Sequence, residues 1–207
     1  MYQHAEVAGV EWRTGHWARE FDRRMALAQP DDTVRGVFCN GLLRVMAERG
    51  GEAVGRRCLE AAGEEKFLDF FNYPITTYLR MVSTGLELLA GPHGDVEELL
   101  RQFGREAVVA LGRSAAGKAL EMMNTGKTRN MLAGLRVVYR VAVSFGEIEL
   151  ENTGPTSARL TMKRVFMPLA FHEGVLSAAL VANNIQGARV RGRQVGSLSN
   201  EYEICWE

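Results

Sequence analysis

The period of the apolar residues changes once along this chain, near residue 141, and the change limits the folds open to it. Up to that point apolar residues recur at three- and four-residue steps, the spacing that lines one side of a helix. Beyond it they alternate with polar residues, the spacing that gives a strand one buried face. In "DDTVRGVFCNGLLRVMAERGG" the stripe is Val34, Val37, Phe38, Leu42, Val45 and Met46. Asp31, Asp32 and Thr33 read as its cap and the Gly50–Gly51 pair as its stop. Further helices are expected in "GGEAVGRRCLEAAGEE", "YPITTYLRMVSTGLELLAG", "GDVEELLRQFGREAVVALGRSAAGKALEMM" and "TRNMLAGLRVVYRVAV", and a stray strand in "AEVAGVEW". Asp95 and two following glutamates mark one helix start.

After residue 141, "VSFGEIELE" and "ARLTMKRV" flank the turn cluster "NTGPTS" and form a hairpin. A helix follows in "FHEGVLSAALVANNIQG", with His172 and Glu173 read as its cap and first-turn acid. A second hairpin pairs "ARVRGRQV" with "EYEICWE" around "GSLSN". The order predicts an α+β fold: an N-terminal helical layer packed on a C-terminal antiparallel sheet of about four strands, β-β-α-β-β. The 207 residues suit one domain, with an extension over 1–30, a helical half over 31–140 and a sheet half over 141–207.

The strand charges predict which face is wet. Glu147, Glu149, Glu151, Glu201 and Glu203 fall on odd positions, as do Arg159, Lys163, Arg189, Arg191 and Arg193. Opposite charges across neighbouring strands make a solvated face. The even positions Ile148, Leu150, Leu160, Met162, Val190, Tyr202, Ile204 and Trp206 are then the core. Lys plus Arg equals 25 and so does Asp plus Glu, so no bulk charge draws the chain to nucleic acid. No apolar run reaches membrane-spanning length, and the first residues lack the apolar core of a signal peptide. Three scattered cysteines, Cys39, Cys58 and Cys205, form no metal or redox pair and suit a reduced, cytoplasmic setting.

Gly112-x-x-x-x-Gly117-Lys118 has the spacing of a phosphate loop, and Gly126-Lys127-Thr128 has its ending. Such a loop needs a strand before it and a Ser or Thr after the Lys. Here a helix precedes it and Ala119 follows. The stretch reads instead as the end of one packed helix, a second short helix and a turn, with Gly112, Ala115, Ala116 and Ala119 as close-packing positions. His4, His16, His93 and His172 share no ligand spacing, no serine sits in a nucleophile elbow, and no cysteine has an activator nearby. No catalytic or metal site is therefore expected. The aromatic cluster "KFLDFFNYPITTY" and the methionines supply either core or the lining of an apolar site.

Several stretches carry a family resemblance: "DTVRGVFCNGLLRVM", "FFNYPITTYLRM", "FGREAVVALGRSAAGKAL", and the C-terminal hairpin–helix–hairpin from "VSFGEIELENTGPTSARLTMKR" to "SNEYEICWE". Together they resemble a family of uncharacterised proteins expanded as paralogues in myxobacteria. The helical half followed by a sheet with the helix "HEGVLSAAL" is also similar in layout to a superfamily. It includes H-NOX haem domains, 4-vinyl reductase ligand-binding domains and TRAPP subunits. That layout implies a pocket for haem or an apolar ligand, or a tunnel for an acyl chain. The Tyr-x-Ser-x-Arg signature of haem-binding H-NOX domains and the cysteine cluster of 4-vinyl reductase domains are absent from this sequence.

These readings combine into a non-enzymatic sensor or regulatory domain that binds a small apolar ligand between helices and sheet. Phe70, Phe71, Tyr73, Tyr78, Met81, Met162 and Trp206 are the candidate lining residues. The alternative is a protein-interaction module or homodimeric adaptor without a ligand. Neither reading identifies a cofactor.

Overall fold

The computed structural model describes residues 15–90, 95–115, 117–118 and 128–207, and the chain divides into two units, Met1–Leu99 and Leu100–Glu207. "AEVAGVEW" lies outside the described residues.

In the first unit, α1 (His16–Ala26) is followed by β1 (Thr33–Arg35), α2 (Gly36–Gly50), α3 (Glu52–Ala62), β2 (Asn72–Pro74) and α4 (Ile75–Ala90). The expected helices are present, but the expected cap at Asp31–Thr33 is not. Thr33–Arg35 is a strand, antiparallel to β2, with Val34 opposite Tyr73. Helix α2 therefore starts at Gly36, with Arg35 as its N-cap and no side-chain capping bond. Its first amides are satisfied by a distant segment, since Gly36 N donates to Phe71 O (2.9 Å) and Val37 N to Asp69 O (3.3 Å). Gly36 has to be glycine for this approach, because a Cβ there would run into the Leu68 carbonyl and the Tyr73 ring. Phe21, Cys39, Leu42, Met46, Cys58, Leu79, Met81, Val82 and Leu86 make the unit's core.

Two of those core residues are thiols. Burial pushes Cys39 up to about 12 and Cys58 up to about 11, from an ordinary value of 9.0. Cys205 is exposed. At pH 8 the native protein should therefore give one thiol to an aromatic disulfide reagent, and all three once denatured. Two or more fast native thiols contradict this burial. A buried thiol that ionises late favours the unfolded chain at high pH. The cysteines thus contribute to a loss of stability as pH rises from about 9 towards 12.

In the second unit, α5 (Val96–Arg113) carries the boundary within it. It begins as expected, with Asp95 Oδ1 accepting from Glu98 N (2.9 Å). Then come α6 (Thr128–Ala142), β3 (Glu147–Gly154), β4 (Ser157–Lys163), α7 (Leu169–Ala182), β5 (Arg189–Gly196) and β6 (Ser199–Cys205). The four strands form one antiparallel sheet in the order β3-β4-β6-β5. The fold is α+β, with strand order along the chain β-β-α-β-β in this part, as the alternation predicts.

The sheet's two faces separate as the charges predict. On the wet face Lys163 Nζ meets Glu149 (2.6 Å), Arg159 meets Glu151 (3.1 Å) and Arg193 meets Glu201 (2.6 Å). The Glu149 carboxylate beside Lys163 raises its ammonium pKa. On the other face Ile148, Leu160, Met162, Tyr202, Ile204 and Trp206 are buried with Leu132 of α6 and Leu176 and Leu180 of α7. Helix α7 starts one turn earlier than expected, with Pro168 as N-cap. His172 is consequently no cap but a buried residue in the helix's first turn.

Two glycines set how α5 and α7 meet. A Cβ at Gly104 would strike the Phe171 carbonyl, and one at Gly174 would strike the Arg101 carbonyl. Gly104 and Gly174 are the glycines at which α5 and α7 pack backbone against backbone. Gly112 and Ala115 are exposed, and nothing lies within 4 Å of a Cβ built at Gly112. Ala116 and Ala119 lie outside the described residues.

Gly112 ends a helix rather than following a strand, and Lys118 N donates to Ser114 O (3.1 Å). The described part of the first phosphate-loop spacing thus follows a helix and not a strand, and Gly126 and Lys127 of the second lie outside the described residues. Among the described residues no helix is long and apolar enough to cross a membrane.

Candidate functional site

The candidate residues fall in both units. In the first, the segment after α3 leaves the helix at Gly63 in a left-handed turn (φ 73°) and runs to β2. It is tied down along its length. Asn40 Nδ2 of α2 donates to Phe67 O (3.2 Å) and to Asp69 Oδ1 (2.7 Å). Leu68 N donates to Tyr73 Oη (2.9 Å), and the Phe67 and Tyr73 rings meet edge to face at 4.8 Å. The result is a fixed knuckle with Phe67 buried and Phe70 and Phe71 turned outward, 68% and 61% exposed. Leu68 is also exposed. Tyr78 and Met81, on α4, are buried in the core, and burial raises the Tyr78 hydroxyl pKa. The structure thus separates the five candidates of this unit by setting. Tyr78 and Met81 are enclosed, Tyr73 is half-buried, and Phe70 and Phe71 face solvent.

In the second unit, Met162 and Trp206 both belong to the buried face of the sheet. Met162 lies near the end of β4, and Trp206 lies just past β6 with its amide on Thr156 O (3.0 Å). Between them run Leu160, Ile204 and Tyr202, and the Tyr202 hydroxyl reaches the Leu169 carbonyl (3.4 Å). The inward row of β6 is 200, 202, 204, and its first member is Asn200. Asn200 is 2% exposed and stands in register with Met162 on β4 and Gln194 on β5. Among the described residues its Nδ2 has no hydrogen-bond partner. A buried amide left unmet costs about 1–3 kcal/mol, so one retained in an apolar face is a feature to explain. The sequence carried a signal for it: extending the even-numbered alternation back one step from Tyr202 puts an asparagine on the core side. The turn-forming neighbours in "GSLSN" hid that step.

A second polar contact organises this unit. Glu173 of α7 accepts from Arg101 Nε of α5 (3.0 Å) with one oxygen and from Gly192 N of β5 (3.0 Å) with the other. One carboxylate therefore joins two helices and a strand, a role absent from the sequence reading. Among the described residues no group of three His, Cys, Asp or Glu is placed to hold a metal ion.

Residues 27–207 match the family described as Protein of unknown function (DUF2378). The chain belongs to the DUF2378 family. No curated protein matches it. Solved structures do resemble this DUF2378 chain in fold. An H-NOX protein from S. oneidensis in the Fe(II)NO state aligns with a TM-score of 0.69 at 14% identity, covering 84% of this chain and 99% of that one. Fe(II) unliganded H-NOX from K. algicida aligns at 0.61 and 14%, covering 84% and 96%. An oxygen-binding H-NOX domain related to soluble guanylate cyclases aligns at 0.62 and 11%, covering 84% and 95%. At these identities the likeness is one of fold.

Haem, which the layout implies, needs an axial donor on open space the size of a porphyrin. Of the histidines, His4 and His93 lie outside the described residues and His16 is exposed. His172 is buried, with Phe171 at 5.5 Å and Tyr202 at 6.3 Å between ring centroids. Its helix is pressed to α5 at Gly174, where a single added methyl would meet backbone. The described residues of this DUF2378 chain therefore do not fit a haem.

Proposed function

We propose that this chain is a non-enzymatic sensor or regulatory domain. It would take up a small apolar molecule against the inward face of its four-stranded sheet, beneath α6 and α7. The observation that carries the reading is the fold, shared over 84% of the chain with H-NOX proteins whose structures were solved with nitric oxide or oxygen. The inward face offers an apolar organic molecule aromatic, thioether and aliphatic contacts from Tyr202, Trp206, Met162 and Leu160. The described histidines suit such a ligand better than a porphyrin, for the reasons given above.

A second reading rests on a separate observation. Leu68, Phe70 and Phe71 form an exposed apolar knuckle on a backbone fixed by hydrogen bonds, the kind of surface that marks protein contacts. On that reading the chain is an interaction module or homodimeric adaptor. Native mass spectrometry of the full chain purified from its own cell tests both. A monomer carrying a small-molecule adduct lost on denaturation is the expected result. A stable dimer with no adduct overturns the ligand reading in favour of the second.

A further inference from the structure

We propose that Asn200 is the polar anchor of the sheet-face site, and that the ligand it selects is a small apolar molecule bearing one carbonyl group. The inference rests on the ligand reading above and adds the chemistry of the ligand's polar end. Along the inward row of β6 the side chains are Asn200, Tyr202 and Ile204, so one amide interrupts an otherwise apolar or aromatic run. Its strand neighbours in register are Met162, 3% exposed, and Gln194, which is exposed. The segment joining β4 to α7 is tied to the residues just before Asn200 by Val165 N donating to Leu198 O (2.8 Å). Val165 is fully buried in the same apolar cluster as Met162 and Tyr202. The one polar group of Tyr202 is directed to the Leu169 carbonyl.

Asn200 Nδ2 is thus a buried donor for which the described residues supply no acceptor. A carbonyl oxygen on the ligand supplies one. A pure hydrocarbon of the same shape leaves the donor unmet, and sites built this way discriminate through the unpaired group. Asn200 is a positioning residue on this view, and it should set which end of the ligand enters beside Met162.

The test uses the full chain and two probes of nearly equal size, cyclohexyl methyl ketone and isopropylcyclohexane, titrated by NMR into wild type and Asn200→Leu. Comparing the ketone-to-hydrocarbon affinity ratio in the two proteins cancels the probes' different hydration. The ratio should fall about tenfold in Asn200→Leu, the usual size of a hydrogen bond made in a desolvated site. In wild type, the Asn200 side-chain NH2 signals should shift with the ketone and stay put with the hydrocarbon. That second readout needs no variant and decides the matter if Asn200→Leu does not fold. An unchanged ratio, or NH2 signals indifferent to the ketone, overturns the anchor while leaving the sheet-face site standing. Failure of wild type to bind either probe overturns the site and the anchor together.

Discussion

Gly174→Ala should destabilise the second unit by about 3 kcal/mol, at the upper end of what one added methyl costs in a packed interior. The magnitude follows from what the methyl meets. A flexible side chain at that point swings aside at little cost, but the Arg101 carbonyl belongs to the backbone of α5 and moves only if the helix moves. Gly104→Ala, facing the Phe171 carbonyl from the other helix, should cost a similar amount. Once either methyl has forced the helices apart, the second has less to disturb. The double variant should fall short of the sum of the singles. Gly112→Ala is the control. Its position is exposed in the last turn of α5 with no neighbour to strike, so the better helix former should leave stability unchanged or raise it by up to about 0.5–1 kcal/mol. Urea unfolding midpoints of the four variants against wild type decide it, and a Gly174→Ala protein as stable as wild type would show that the helices do not cross this closely.

Tyr202→Ala should cost about 3–5 kcal/mol, the range for removing a buried aromatic ring. Tyr202 is fully buried, and its strand is central, paired with β4 on one side and β5 on the other. The ring also stands beside His172 and contacts the position that Gly192 leaves open on β5. Tyr202→Phe keeps the ring and removes the hydroxyl, with its long 3.4 Å bond to Leu169 O, so it should stay within about 1 kcal/mol of wild type. Thermal unfolding of the pair separates packing from hydrogen bonding. Equal losses in the two variants would mean that the hydroxyl, and not the ring, holds this part of the core.

The sheet was legible because its signal is repeated. Each strand has three or more alternations, and the charges on adjacent strands complement one another, so register and facing are specified twice. β1 and β2 were not legible. At three residues each they are too short for a period, and Val34 fits a helical stripe as well as a strand. What makes them strands is a contact between residues nearly forty positions apart, the Val34–Tyr73 pairing. Tertiary contacts likewise decide which glycines pack closely. Gly104 and Gly112 look alike in sequence, yet only Gly104 faces another helix's backbone. Phe70 and Phe71 illustrate the limit for sites. An aromatic cluster announces itself in sequence, but whether each ring points in or out depends on the hydrogen bonds to Asn40 and Tyr73 that shape the knuckle.

Glu173 has a consequence for how this protein behaves at high concentration. A four-stranded open sheet has two borders where a foreign strand can attach, and such borders seed fibres and strand exchange. On the β5 border the Gly192 amide is already committed to Glu173, so a newcomer must first break a bond that also holds Arg101. On the β3 border it meets Glu147, Glu149 and Glu151, all exposed and two of them ion-paired to β4, a charged row that an apolar strand would have to desolvate. The carboxylate that fastens two helices to the sheet also works, together with that charged border, as a guard against polymerisation.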